Sequence, residues 1–212
     1  MKRLFAILFM LNINIGYAQS LEADIFVQST VNRASDILSK NISKDEKING
    51  LKEIAKETVD IKGVGYYSLG SFRKNLDNNQ KKKYLSLFES YFLKSFSSRL
   101  SEYTNPKIDV VGKKVLNKNY TIVNSLLVAT SERPEIKIDW RIYTKNPENP
   151  LIRDLIIEGL SLARTQKEEF GSILSSNNED INVLFKTLEV LPSISFLNAG
   201  ISNFRSTVLI FR

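Results

Sequence analysis

The chain contains neither cysteine nor histidine. Without cysteine no disulfide can staple the fold, so its stability must come from apolar burial. Without histidine the side chain that titrates nearest neutrality is missing, and with it the usual nucleophilic triads and most zinc sites. Gly-rich phosphate loops, metal-ligand clusters and heptad arrays are also absent from the sequence. These absences point away from catalysis and from a bound cofactor, and toward binding.

What is present begins at the N terminus. Lys2 and Arg3 precede an apolar stretch from Leu4 to Leu11, and Gly16-Tyr17-Ala18 places small residues at the third and first positions before a cut after Ala18. This is the pattern of a cleaved secretory signal. Asn12 and Asn14 interrupt the stretch, which falls well short of the ~20 residues a membrane anchor needs. The sequence therefore predicts a signal peptide over residues 1–18, one folded domain over 19–190 and a C-terminal tail over 191–212 whose role is unassigned. A length of 212 residues with 42% apolar content suits one domain with a substantial core.

Of the 30 basic residues, Lys2 and Arg3 leave with the signal, and the other 28 against 23 acidic ones give a mature charge of about +5. Such a field favours anionic head groups or an acidic partner. Scattered lysines in an exported chain argue against nucleic acid. Lys81-Lys82-Lys83 opposes the dipole of the helix it begins, which suits a solvated surface.

Ile25, Phe26, Ala34, Ile37 and Leu38 fall mostly at helical intervals, and Ser43 with Glu46 forms a capping box for a second helix carrying Ile48, Leu51 and Ala55. Gly63 and Gly65 are expected to interrupt, leaving a short helix or turn packed by Tyr66 and Tyr67. Asp77 with Gln80 starts the strongest helix, which runs toward Tyr103 before Pro106 stops it. Its stripe is Leu85, Phe88, Phe92, Phe96, Leu100 and Tyr103, an aromatic face that forms core or lines a ligand cavity.

Strand signals follow at Ile108 to Leu116, Tyr120 to Thr130, Ile136 to Thr144 and Leu151 to Ile157, with Asn117-Lys118-Asn119 and Ser131-Glu132-Arg133 as short links and a longer one carrying Pro147 and Pro150. Helices, then strands, then helices is an α+β order: a bent antiparallel sheet of about four strands covered by helices on one face. Strand parity puts Ile138, Trp140 and Ile142 on one side with Val123 and Leu127, opposed by Phe88 and Phe92, and Leu155 and Ile157 extend this apolar set. Asp139, Asp154 and Glu158 are the carboxylates available for general-base work. Parity turns Asp139 away from Trp140, and an ion pair with Arg141 explains Asp154. Gly159-Leu160-Ser161 lacks the last glycine of a nucleophile elbow, so Gly159 reads as a strand exit and Ser161 as a helix cap.

The Asp154, Glu158, Gly159, Ser161 spacing followed by Phe170, with Leu69-Gly70-Ser71-Phe72-Arg73 and the helix Lys83 to Leu100, resembles the MlaC family over roughly residues 23 to 190. Pro150 stands where that family usually has tryptophan. These are periplasmic phospholipid-binding proteins, also called toluene-tolerance auxiliary components of an ABC transporter. The resemblance implies a cone-like sheet and helices around an apolar lipid cavity, no enzymatic activity and no cofactor. It also implies a carrier that maintains outer-membrane lipid asymmetry. Its partners would be phospholipid, an outer-membrane lipoprotein–porin complex and an inner-membrane ABC transporter with an MCE-type subunit. Phe88, Phe92, Val123, Leu127, Ile138, Trp140, Ile142, Leu155 and Ile157 would then be the lipid-binding residues. The alternative is an exported cone-fold enzyme or a binder of another apolar small molecule.

Overall fold

The computed structural model describes residues 22–131 and 133–190. The signal peptide expected over 1–18 and the tail expected over 191–212 lie outside these residues. The chain begins with α1 (Ala23–Ser39) and α2 (Lys44–Thr58). The buried side of α1 is Ala23, Phe26, Val27, Thr30, Val31 and Leu38. Ile25, which the sequence places with that set, is instead 58% exposed, because one residue along a helix is a turn of about 100°. The capping box of α2 forms as expected: Ser43 Oγ accepts from the Glu46 N–H, and the Glu46 carboxylate accepts from the Ser43 N–H at 2.9 Å.

The glycines expected to interrupt the next segment lie inside a helix, α3 (Ile61–Leu69), capped by Asp60. They serve close approach. A Cβ on Gly65 would stand 2.8 Å from the Phe88 ring, and one on Gly63 would meet the Asp60 carboxylate. Nor do the tyrosines pack this helix: Val64, Gly65, Ser68 and Leu69 are its buried side, and Tyr67 is exposed. After a 3₁₀ turn (Gly70–Lys74) comes α4 (Asn78–Leu100), opened by the Asp77–Gln80 capping box. This helix is buried beyond its aromatic stripe. Tyr84, Tyr91, Leu93, Ser95 and Ser97 are also buried, and both serines donate to the carbonyl four residues back, which satisfies their hydroxyls without a partner helix.

Among the described residues five strands, one more than expected, form an antiparallel meander in the order β1-β2-β3-β4-β5: β1 (Ile108–Asn117), β2 (Tyr120–Leu127), β3 (Ile136–Tyr143), β4 (Leu151–Ile157) and β5 (Leu160–Ser161). The extra strand follows from Glu158-Gly159, whose φ values of 49° and 83° make the two-residue turn of a tight hairpin. The Glu158 N–H donates to Lys137 O at 3.0 Å and its carboxylate accepts from the Lys137 N–H. Two helices complete the α+β fold, α5 (Leu162–Ser175) and α6 (Ile181–Val190).

Strict alternation fails once where it matters. Trp140 pairs with Leu155 and Ile142 with Ile152, so the β3–β4 ladder is irregular between Arg141 and Ile142 and Arg153 is the extra residue. A bulge shifts parity by one. It puts Ile152, Leu155 and Ile157 on the Trp140 side, turns Asp154 to the other face opposite Arg141, and reconciles an aliphatic strand with two adjacent charges.

Two apolar cores result. One joins α3, α4, α5 and α6 around Tyr84, Phe88, Phe170 and Leu184; the other packs Phe26, Val27 and Val31 of α1 onto Val123, Ile138, Trp140 and Ile142 of the sheet. Val59 and Leu155 are partly buried against both.

Candidate functional site

Between the two cores lies an apolar cavity of two lobes. The larger, of about 140 Å³, is walled by α1 and α2 (Val31, Leu38, Leu51, Ile54), by Phe96 and Leu100 of α4, and by the sheet residues Leu127, Ile138, Trp140, Leu155 and Ile157. The smaller, of about 50 Å³, reaches toward α5 past Phe88, Phe92, Phe96, Ala163 and Gln166. Trp140, Ile152, Leu155, Leu162 and Phe96 border both lobes. Phe92 stacks on Phe96 with ring centroids 5.6 Å apart, and on Phe88 at 6.2 Å. The α4 stripe thus runs from a packed core at Phe88 to a cavity wall at Phe96.

Of the nine residues expected around the cavity, Phe88 and Phe92 border the smaller lobe, Leu127, Ile138 and Ile157 the larger, and Trp140 and Leu155 both. Val123 and Ile142 line neither lobe and belong to the core instead. They share the face that parity assigned, but they are fully buried where α1 lies on the sheet. The sequence does not single out the walls given by α1 and α2 as part of a site, because their periodicity reads equally as core.

The polar groups near this space are nearly all spoken for. Trp140 donates its indole N–H to Ser125 Oγ at 2.8 Å, and Ser125 donates to Ile138 O. Thr30 and Thr58 donate to the carbonyls of Phe26 and Ile54, and Ser35 to that of Pro106. Arg153 pairs with Asp60 at 2.6 Å, donates to the Tyr120 hydroxyl and lies 3.7 Å from the Tyr143 ring centroid. Burial pulls its pKa down, but the hydrogen bonds to Asp60 and Tyr120 outweigh this and hold it above the ordinary value.

Asp154 is buried with its carboxylate accepting from Ser161 Oγ at 2.6 Å and from the Ala163 N–H at 3.0 Å, while Arg141 stands farther off at 3.7 Å. Arg141 is thus its weaker partner. The main ones are at the start of α5, where Ser161 also accepts from the Arg164 N–H as the N-cap. The Asp154, Glu158, Gly159, Ser161 spacing is therefore a structural junction: strand, tight turn, short strand and capped helix held by one carboxylate. Asp139, on the outer face, accepts from Asn124 at 2.7 Å.

Among the described residues no helix is long and apolar enough to cross a membrane, and no group of three or more His, Cys, Asp or Glu could hold a metal ion. A family model described as MlaC protein matches residues 28–190. Among solved structures, a phospholipid-binding protein from Ralstonia solanacearum, in complex with a phospholipid, shares the fold with a TM-score of 0.68 and 16% sequence identity, over 80% of this chain and 96% of that one.

Proposed function

The chain belongs to the MlaC family, and on that premise we propose that it is a periplasmic carrier that takes up the acyl chains of a phospholipid between its sheet and its helices. The observation that carries this reading is the apolar, two-lobed cavity between the sheet and α1, α2 and α4. A fold shared with a protein seen bound to a phospholipid supports it. The N-terminal signal pattern supports export, and the carrier would hand lipid between an outer-membrane lipoprotein–porin complex and an inner-membrane ABC transporter with an MCE-type subunit. The role is transport, without a chemical step.

Magnitudes favour an exchange mechanism. Each buried methylene contributes about 0.8 kcal/mol, so two long acyl chains give a gross ~20 kcal/mol, near the practical ceiling of non-covalent affinity. A lipid leaving a bilayer exchanges one apolar surrounding for another, so net transfer lies near balance and the docked partner sets its direction. The larger lobe, at about 140 Å³, matches an engineered cavity of ~150 Å³ that admits one benzene. Two full acyl chains therefore need the helical wall to draw back from the sheet as they enter.

Mass spectrometry of organic extracts from protein purified without detergent tests the proposal. Diacyl phospholipid at about one per chain is the expected result; a different apolar molecule, or no lipid, overturns it.

A further inference from the structure

We propose that Arg99 is the anchor for the lipid phosphodiester at the rim of the larger lobe, so that the carrier selects phospholipids over neutral diacyl lipids. This rests on the carrier reading. Among the described residues, Arg99 is the only charged one bordering that lobe. It sits at the end of α4, next to Leu100 and one turn before Tyr103, both of which border the same space. Its Nε is shielded from solvent and has no hydrogen-bond partner among the described residues.

Of the lobe's other polar side chains among the described residues, Tyr103 stands beside Arg99 just past the end of α4, and the rest are already committed. The hydroxyls of Thr30, Ser35 and Thr58 are committed to backbone carbonyls and the Trp140 indole to Ser125. Glu102 holds one end of the guanidinium, at Nη1, 2.5 Å away. That contact leaves the edge formed by Nε and Nη2, the two parallel donors with which an arginine grips a phosphate side-on. A shielded donor without a partner is costly, and a phosphodiester at the lobe's rim would satisfy it. A second guanidinium stands close by: Arg133 lies over the Tyr103 ring, 5.6 Å from its centroid, with its Nη2 donating to Val128 O. Acyl chains held against Phe96, Leu127 and Ile138 would thus place the head group at Arg99 and Tyr103, beside this second positive charge.

The test uses the mature, lipid-stripped protein, incubated with phosphatidylglycerol vesicles doped with diacylglycerol of the same acyl chains. Bound lipids are then extracted and quantified. The wild type is expected to enrich phospholipid over diacylglycerol relative to the vesicles by about tenfold, the scale of a charge-assisted contact. Arg99→Met should abolish that enrichment and leave diacylglycerol uptake unchanged, and Arg99→Lys should restore part of it, because an ammonium cannot pair side-on. Glu102→Gln leaves both the lobe and Arg99 intact and should keep or raise the enrichment. An Arg99→Met protein that retains the wild-type ratio, or a Glu102→Gln protein that loses it, overturns the anchor. A wild type that takes up both lipids in the vesicle ratio overturns the anchor alone, whereas one that takes up neither overturns the carrier reading as well.

Discussion

Asp154 shows how much a single buried carboxylate can organise. It accepts from Ser161 and from the first turn of α5, with Arg141 opposite on β3. Asp154→Ala strands two donors and leaves Arg141 without its carboxylate, so a loss of about 2–4 kcal/mol is expected in urea unfolding. Ser161→Ala removes a cap and should cost about 1 kcal/mol. Because the two groups share a hydrogen bond, the double variant should cost less than the sum of the single losses. Tyr84 is a second case: burial pushes its phenol well above the ordinary pKa, and its hydroxyl donates to Gly65 O at 2.9 Å. Tyr84→Phe leaves that carbonyl one donor short and should lower stability by about 1 kcal/mol, with no pH dependence below the alkaline range.

At the scale of elements, close approach between helices makes a sharp contrast. Gly65→Ala drives a methyl group into the Phe88 ring at 2.8 Å, against a side chain already packed by Tyr84, Phe92 and Phe170. Overpacking of this kind should cost about 1–3 kcal/mol. Gly171→Ala, inside α5 with nothing within 4 Å of the new Cβ, should instead stabilise by about 0.5–1 kcal/mol. Thermal melts of the two variants should therefore move in opposite directions. The start of α1 is tied to β1 by charge: Lys113 bonds Asp24 at 2.9 Å and also Glu22. The hydrogen bond from Lys113 holds the Asp24 carboxyl below its ordinary value. A depressed folded pKa stabilises above the unfolded value and loses that effect as pH falls through the folded one. Asp24→Asn should thus shift the urea midpoint at pH 7, and the gap from the wild type should close as pH drops below about 4.

For the molecule as a whole, Leu155 is the most telling position, since it borders both lobes and is partly buried against both cores. Leu155→Asp sets a charge beside the expected acyl chains and should cut lipid recovery severalfold. Circular dichroism on the same sample separates this from unfolding, and full lipid yield from a folded variant would count against a lipid cavity there. Cleavage after Ala18 would leave a net charge of about +5, and transfer from anionic vesicles should then slow as salt rises, because screening shortens the reach of the field. Lipid content should meanwhile hold steady, both with salt and, since the chain has no histidine, between about pH 6 and 8.

The features legible in the sequence are those decided within a few residues. The capping boxes at Ser43 and Asp77 close over one helical turn, and the antiparallel order follows from short polar links between alternating runs, so both could be read along the chain. Alternation likewise assigned Val123, Leu127, Ile138, Trp140 and Ile142 to one face. It could not say which of them would be covered. α1 lies over Val123 and Ile142 and leaves the others at the cavity, because that choice depends on where a distant helix docks. The bulge at Arg153 is equally non-local: its guanidinium is held by Asp60, 93 residues earlier, and by Tyr120 on another strand. Along the chain Gly65 reads as a helix break, and the close approach it serves exists only once the Phe88 ring packs against it. Periodicity and short-range hydrogen bonds along the chain fix most of the elements and the apolar faces of α1, α4, β2 and β3, but not the short strand β5, the helix over Gly63 and Gly65 or the bulge in β4. Which apolar side chains meet one another and which meet empty space emerges from the folded packing alone, because it is settled between segments whose separation along the chain carries no signal of their contact.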